Sequence, residues 1–190
     1  LFGSGGAPLF SIERGQKQTK QALHVMDTSF TMLCAGGTAL MGIVFAFAQP
    51  LLTLFGASAD AMVYALPYLQ VYLIGTLPSM IAVGMNPFIN AQGYSTMGMF
   101  SVSIGAITNL LLDPLFILVF RWGVTGAAAA SVLGNVVATG FYIHYIIRRG
   151  TVLTVDPRFA LQKPAALGEI LAIGLPNGIG SLLSGFASTF

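Results

Sequence analysis

The sequence predicts an all-α polytopic membrane protein, and three observations carry that prediction. Only 7% of the residues are charged and 55% are hydrophobic, whereas an ordinary soluble domain has roughly a quarter of its residues charged. That supply cannot clothe a water-facing surface. Between Asp60 and Asp113 there is no Lys, Arg, Asp or Glu, a stretch long enough for two bilayer crossings at about 20 residues each. The apolar runs do not alternate, and they exceed the roughly ten residues of a barrel strand. Helices remain, because in lipid each segment must satisfy its own backbone.

The expected elements run in order as a partial span over 1–12, full spans over 28–48, 61–89, 96–120 and 124–147, and a last span from 166. Leu1 stands where a start Met would be, inside an apolar, Gly-rich stretch with no basic leader, and Thr189 and Phe190 stop within an apolar run. A fragment cut through helices at both ends is the expectation. Pro67, Pro78, Pro87, Pro114 and Pro176 fall inside spans and are candidate kinks, since neighbouring membrane helices can satisfy the backbone groups a proline frees.

Five connections separate the spans. Residues 13–21 hold Arg14, Lys17 and Lys20, the turns at 49–60 and 90–95 hold no basic residue, the turn after Phe120 holds Arg121, and 148–165 holds Arg148, Arg149, Arg158 and Lys163. Alternate connections share a side, so one side has seven basic residues and the other one. By the positive-inside rule 13–21, 90–95 and 148–165 are expected in the cytoplasm. The net charge of +2 is explained by topology and calls for no nucleic-acid partner. Residues 148–165, with Pro157 and Pro164, read either as a linker between two bundles or as a long loop within one.

Asp113 is the most informative residue. Counted from a span start near Thr96, its carboxyl lies roughly 25 Å across at about 1.5 Å per residue, in the far half of the hydrocarbon layer. An ionisable group there costs about 2.5 to 3.5 kcal/mol unless it faces a cavity or a partner. Asn109, four residues earlier, shares its helical face. Two oxygen-bearing side chains one turn apart can hold a hard cation, or the carboxyl can exchange a proton. A fixed hydrogen bond within the bundle, or a carboxyl reaching toward Arg121, is the structural alternative. Pro114 frees a carbonyl one turn back, as a further ligand or as a packing kink.

Gly126, Ala130 and Gly134 recur every fourth residue and favour close helix approach. Ser131 and Asn135 form a polar pair one turn apart on the same helix. His24, His144, Asp27 and Glu169 are expected at solvated or headgroup positions. Cys34 is the only cysteine and reads as a small packed residue, so no disulfide framework is available. No zinc-protease helix, P-loop, nucleophile elbow or dinucleotide fingerprint is present, so the sequence supports no enzyme, cofactor or nucleotide-driven step.

Several segments taken together are familiar: Gly5-Gly6-Ala7-Pro8-Leu9-Phe10-Ser11-Ile12 with Arg14-Gly15-Gln16, Leu54-Phe55-Gly56-Ala57-Ser58, Tyr64-Ala65 with Tyr68-Leu69, and Asn86-Pro87-Phe88-Ile89-Asn90-Ala91-Gln92-Gly93. Gly105-Ala106 with Asn109, Leu112-Asp113-Pro114-Leu115-Phe116-Ile117, Gly123-Val124-Thr125-Gly126-Ala127-Ala128 and Ile173-Gly174-Leu175-Pro176 follow in order. Over nearly the whole chain this resembles the multidrug and toxic compound extrusion (MATE) family of efflux transporters, from the end of helix two to the start of helix seven.

The resemblance implies a two-lobed bundle: a first lobe over 1–147, a cytoplasmic inter-lobe linker at 148–165 and the start of the second lobe at 166–190. It also implies a multi-pass protein of the plasma (inner) membrane that works as a monomer among lipids and exports small, often cationic organic substrates in exchange for Na+ or H+. The family's first-lobe cation site pairs an Asn and an Asp on helix five with a Thr on helix six. Asn109 and Asp113 match that pair, and Ser131 stands at the Thr position with a hydroxyl kept, so Na+ or a proton is the implied occupant. An acidic residue expected on helix one lies outside this stretch. Residues 181–188 lack the helix-seven acid of some members, which favours the Asn109 and Asp113 site. The rival readings are a lipid-linked precursor flippase of the same superfamily, or a membrane-embedded enzyme or receptor.

Overall fold

The computed structural model describes residues 2–148 and 164–189. Most of the expected linker, with Arg149, Arg158 and Lys163, lies outside the described residues. Those described are almost wholly helical, with no strand among them.

Helix α1 is Phe2–Gly15 and α2 is Thr19–Ala46. Arg14 sits in the last turn of α1, where a cation meets the negative end of the helix dipole, and Lys17 turns the chain in the left-handed region (φ 59°). Helix α2 starts well before the expected 28, because its polar first turns are helical without being apolar. A short helix α3, Ala48–Leu54, occupies part of the stretch expected to be a turn at 49–60. Gly56 ends it at φ 86°, a conformation that costs a residue without Cβ nothing. Ser58 then caps α4, Ala59–Ile74, by accepting from Ala61 N at 3.3 Å.

The single span expected over 61–89 is two helices, α4 and α5 (Thr76–Ala91), bent by 50°. The break falls at Gly75, three residues before Pro78, which has no N–H for the carbonyl of Ile74, so one of the expected kinks stands beside it. A Cβ on Gly75 would lie 2.7 Å from Val132 Cγ2, so glycine also permits the close approach of α7. Pro67 and Pro87 sit inside intact helices. Helix α6, Ser95–Pro114, runs into a π-helical turn, Leu115–Val119, and α7 is Gly123–Arg148. Helix α8 is Pro164–Thr189. Among the described residues four segments are long and apolar enough to cross a membrane, or five with the bent pair counted as one span.

The residues fall into two compact units. One comprises the described residues of Leu1–Leu33, Val83–Gly98 and Tyr145–Phe190. In it α1 packs on α8: a Cβ on Gly5 would run into the carbonyl of Ile170 and the backbone of Gly174, so only glycine permits this approach. Phe10 meets Phe88 edge-on at 5.7 Å. Asn86 Nδ2 donates to Gly98 O at 3.0 Å and Asn90 Nδ2 to Asn86 Oδ1 at 3.1 Å, closing the turn around Gly93. Asp27 departs from expectation. It is 6% exposed, beside fully buried Thr28 and Ser29, two turns into α2. His144 and Glu169 are exposed and His24 is half-buried.

The other unit comprises Cys34–Ala82 and Met99–His144. Two side-chain bonds staple its helices: buried Ser101 donates to Ala138 O at 3.0 Å and Thr139 Oγ1 to Pro78 O at 2.6 Å. Thr139→Val, which keeps the shape and removes the donor, is expected to cost about 0.5 to 1.5 kcal/mol, read as a lower melting midpoint of the detergent-purified full-length protein.

Candidate functional site

The second unit contains all three residues singled out for a cation site. Helix α6 has a lipid-type face and an inward face: Leu110 and Leu111 are 71% and 66% exposed, while Asn109 and Asp113 on the other side are half-buried. That split follows from helical geometry, since residues four apart share a face and the intervening pair does not.

Helix α7 is drawn against this inward face by glycine. A Cβ on Gly134 would lie 2.8 Å from Gly105 O and 3.2 Å from Asn109 Cβ, and one on Gly105 would lie 2.9 Å from Ala138 Cβ. Gly126 similarly lies over the backbone of Phe116, and Ala130 is fully buried, so the expected small-residue stripe does make a close helix contact. Close approach brings Ser131 within reach of Asn109: Asn109 Nδ2 donates to Ser131 Oγ at 3.1 Å.

Asp113 lies one turn further along α6. Its Oδ1 is buried and has no hydrogen-bond partner. It makes no ion pair with Arg121, the structural alternative raised by the sequence. Asn109 and Ser131 are therefore brought into contact, while Asp113 adjoins them through the helix with an unmet acceptor. A buried carboxylate oxygen without a hydrogen-bond partner is costly, and a cation or a proton would relieve it. With Nδ2 turned to Ser131, Asn109 keeps its carbonyl oxygen as an acceptor, and the hydroxyl and the carboxylate add hard oxygen donors of the kind that alkali and alkaline-earth ions take.

Directly after Asp113 the backbone changes pitch. Pro114 has no N–H to give, and the π-turn bond runs from Phe120 N to Leu115 O at 3.0 Å. The carbonyl of Leu110 thus loses its helical partner, one turn before the proline. Such π-turns inside helices are frequent at functional sites. Periodicity could not reveal this one; the only signal was the Asp113-Pro114 pair. Ser131→Ala is expected to strand Asn109 Nδ2 at a cost of about 1 to 3 kcal/mol, whereas Ser131→Thr, which keeps the hydroxyl, should hold both the melting midpoint and ion binding by calorimetry near those of the parent.

A family model described as MatE matches residues 1–115. The multidrug export protein MepA of Staphylococcus aureus is 27% identical over 186 residues, covering 98% of this chain and 41% of MepA. A relative of the same name from Staphylococcus saprophyticus is also 27% identical, over 97% of this chain and 41% of the relative. The chain spans about two fifths of the length of the curated relatives it matches. Among solved structures, an inward-facing multidrug resistance MATE transporter superposes with a TM-score of 0.84 at 26% identity, over 92% of this chain and 40% of that one. An outward-facing one gives 0.87 at 25%, over 98% and 42%.

Proposed function

The chain belongs to the MatE family, and from that premise we propose that it carries the ion-coupling half of a drug exporter, with Asp113 as the group that binds the coupling ion. It is a segment of an integral membrane transporter and not of an enzyme. Its relatives are named for multidrug export, which supports small organic molecules as the substrates of the full-length protein. The observation that carries the coupling reading is the buried, unpartnered Oδ1 of Asp113 one turn from the Asn109 to Ser131 hydrogen bond.

The physical logic is a charge that must be neutralised to stay in hydrocarbon. With the site loaded by Na+ or H+, the carboxyl has lost its net charge and the inward face of α6 is stable in an apolar surround. Once unloaded, the carboxylate favours whichever arrangement opens it to water. An ion that binds one arrangement better than the other shifts their balance by that difference in affinity and by no more, which is the condition for alternating access to be driven. Orientation follows the distribution of basic residues, with 13–21 and 148–165 on the cytoplasmic side.

Reconstitution of the full-length protein in proteoliposomes tests the proposal. Efflux of a fluorescent organic cation should follow an imposed gradient of Na+ or of pH, and the gradient that drives it identifies the ion. Flux that ignores both gradients would overturn the coupling role.

A further inference from the structure

A second site lies at the far end of the same unit, where α6 and α7 meet. The connection is tight. Arg121 takes the left-handed conformation at φ 55°, followed by Gly123 at φ 59°, and Trp122 N donates back to Phe116 O at 3.0 Å. Trp122 stacks on Phe120 at 5.7 Å and lies 5.2 Å from Phe116, and its carbonyl accepts from Thr125 Oγ1 at 2.7 Å. The rings thus hold the turn in a fixed shape. Between this turn and the first turns of α4 is an open pocket of about 220 Å³, lined by Arg121, Trp122 and Thr125 on one wall and Val63, Tyr64 and Pro67 on the other.

No carboxylate lines the pocket. Arg121 makes no ion pair among the described residues, and Asp60, one turn before Tyr64, does not reach it. The pocket therefore presents one guanidinium beside apolar side chains, with no carboxylate in its lining. The segments that meet there, Ser95–Val119 and Gly123–Tyr145, are both of membrane-crossing length, which sets their connection at the level of the lipid headgroups. Trp and Tyr are concentrated at that level because a ring with one polar edge fits both phases. Val63 of the pocket wall and, in the turn that leads to Arg121, Val119 and Leu118 are apolar side chains 68%, 67% and 71% exposed.

We propose that this pocket binds one anionic phospholipid, with its phosphodiester on Arg121 and an acyl chain along Val119 and Leu118. Charge complementarity selects the occupant: one cation in a lining without a carboxylate suits a headgroup of net negative charge, and the ammonium of a zwitterion would find no carboxylate in that lining. A guanidinium matches phosphate oxygens through paired N–H donors. The site is separate from the coupling residues and stands whether or not Asp113 binds an ion.

Native mass spectrometry of the purified full-length protein, titrated with phosphatidylglycerol, tests the assignment. Arg121→Gln should weaken one lipid-binding event by about fivefold, the share of a single basic side chain near a lipid phosphate, and Arg121→Lys should restore part of it. Val63→Trp, which fills the pocket from the opposite wall and leaves the cation in place, should remove the same event. Phosphatidylcholine should bind less tightly and without dependence on Arg121, and glycerol phosphate should not compete. Undiminished lipid binding in Arg121→Gln or in Val63→Trp overturns the proposal, as does equal competition by glycerol phosphate, which would assign the pocket to a soluble anion.

Discussion

Asp113→Asn in the full-length protein is expected to abolish ion-driven efflux while leaving the purified protein at least as resistant to heat as the parent. The two halves of that result share one cause. The carboxyl carries a buried oxygen without a hydrogen bond, and a charged side chain at the centre of a membrane helix costs about 2.5 to 3.5 kcal/mol. An isosteric amide removes the charge and keeps the volume, so stability should hold or rise. Transport should fall because the amide cannot trade a proton or neutralise a cation, and the lost coupling is of the order of 1 to 3 kcal/mol, about 5- to 150-fold in effect. Cells carrying the variant should accumulate a fluorescent cationic dye as cells without the transporter do, and the melting midpoint is read on the same preparation. Efflux at the parental rate would remove Asp113 from the mechanism. Combining the change with Asn109→Ala should add little further loss, since groups that act as one site are not additive.

Gly134→Ala carries the second largest expected effect, and it acts through packing. The new Cβ would sit 2.8 Å from Gly105 O and 3.4 Å from Asn109 N. Both are backbone atoms and cannot rotate aside, so α6 and α7 must separate. Overpacking of this kind costs about 1 to 3 kcal/mol. The Asn109 to Ser131 bond, at 3.1 Å, would then stretch toward the limit of a hydrogen bond. A lower melting midpoint and weaker ion binding should appear together. Gly140→Ala on the same helix meets no atom within 4 Å and serves as the control: the same change in composition should leave both readouts in place. Equal behaviour of the two variants would show that the close approach does not hold the site.

Part of the candidate site could be read from spacing. Asn109 and Asp113 are four residues apart in a run without other charge, and on a helix that places them on one face whatever surrounds it. The partnership of Asn109 with Ser131 could not be read in this way, because it joins residues 22 apart through a crossing that depends on two glycines having nothing between them. Resemblance pointed to Ser131, and the contact itself appears only in three dimensions. Asp27 shows the opposite failure. Its neighbours His24, Lys20 and Gln21 are polar, so a headgroup position was the natural reading, yet it is 6% exposed. Local polarity reports what water would tolerate, and burial depends on which helix arrives alongside. The span at 61–89 is a different case: about eight helical turns of apolar sequence look continuous, and the break at Gly75 stands between Pro78 on its own chain segment and Val132 of another helix.

By itself the sequence determined that this chain crosses a membrane as helices and roughly where each crossing lies. Composition and period suffice for that, because lipid accepts no unpaired backbone and little charge. Only the tertiary structure decided beside which of the candidate prolines a helix breaks, that Ser131 touches Asn109, that Asp27 is buried and that Arg121 lines a pocket. Each of those depends on atoms brought together from distant parts of the chain, and close packing settles them to within a fraction of an ångström, a scale on which the order of residues carries no information.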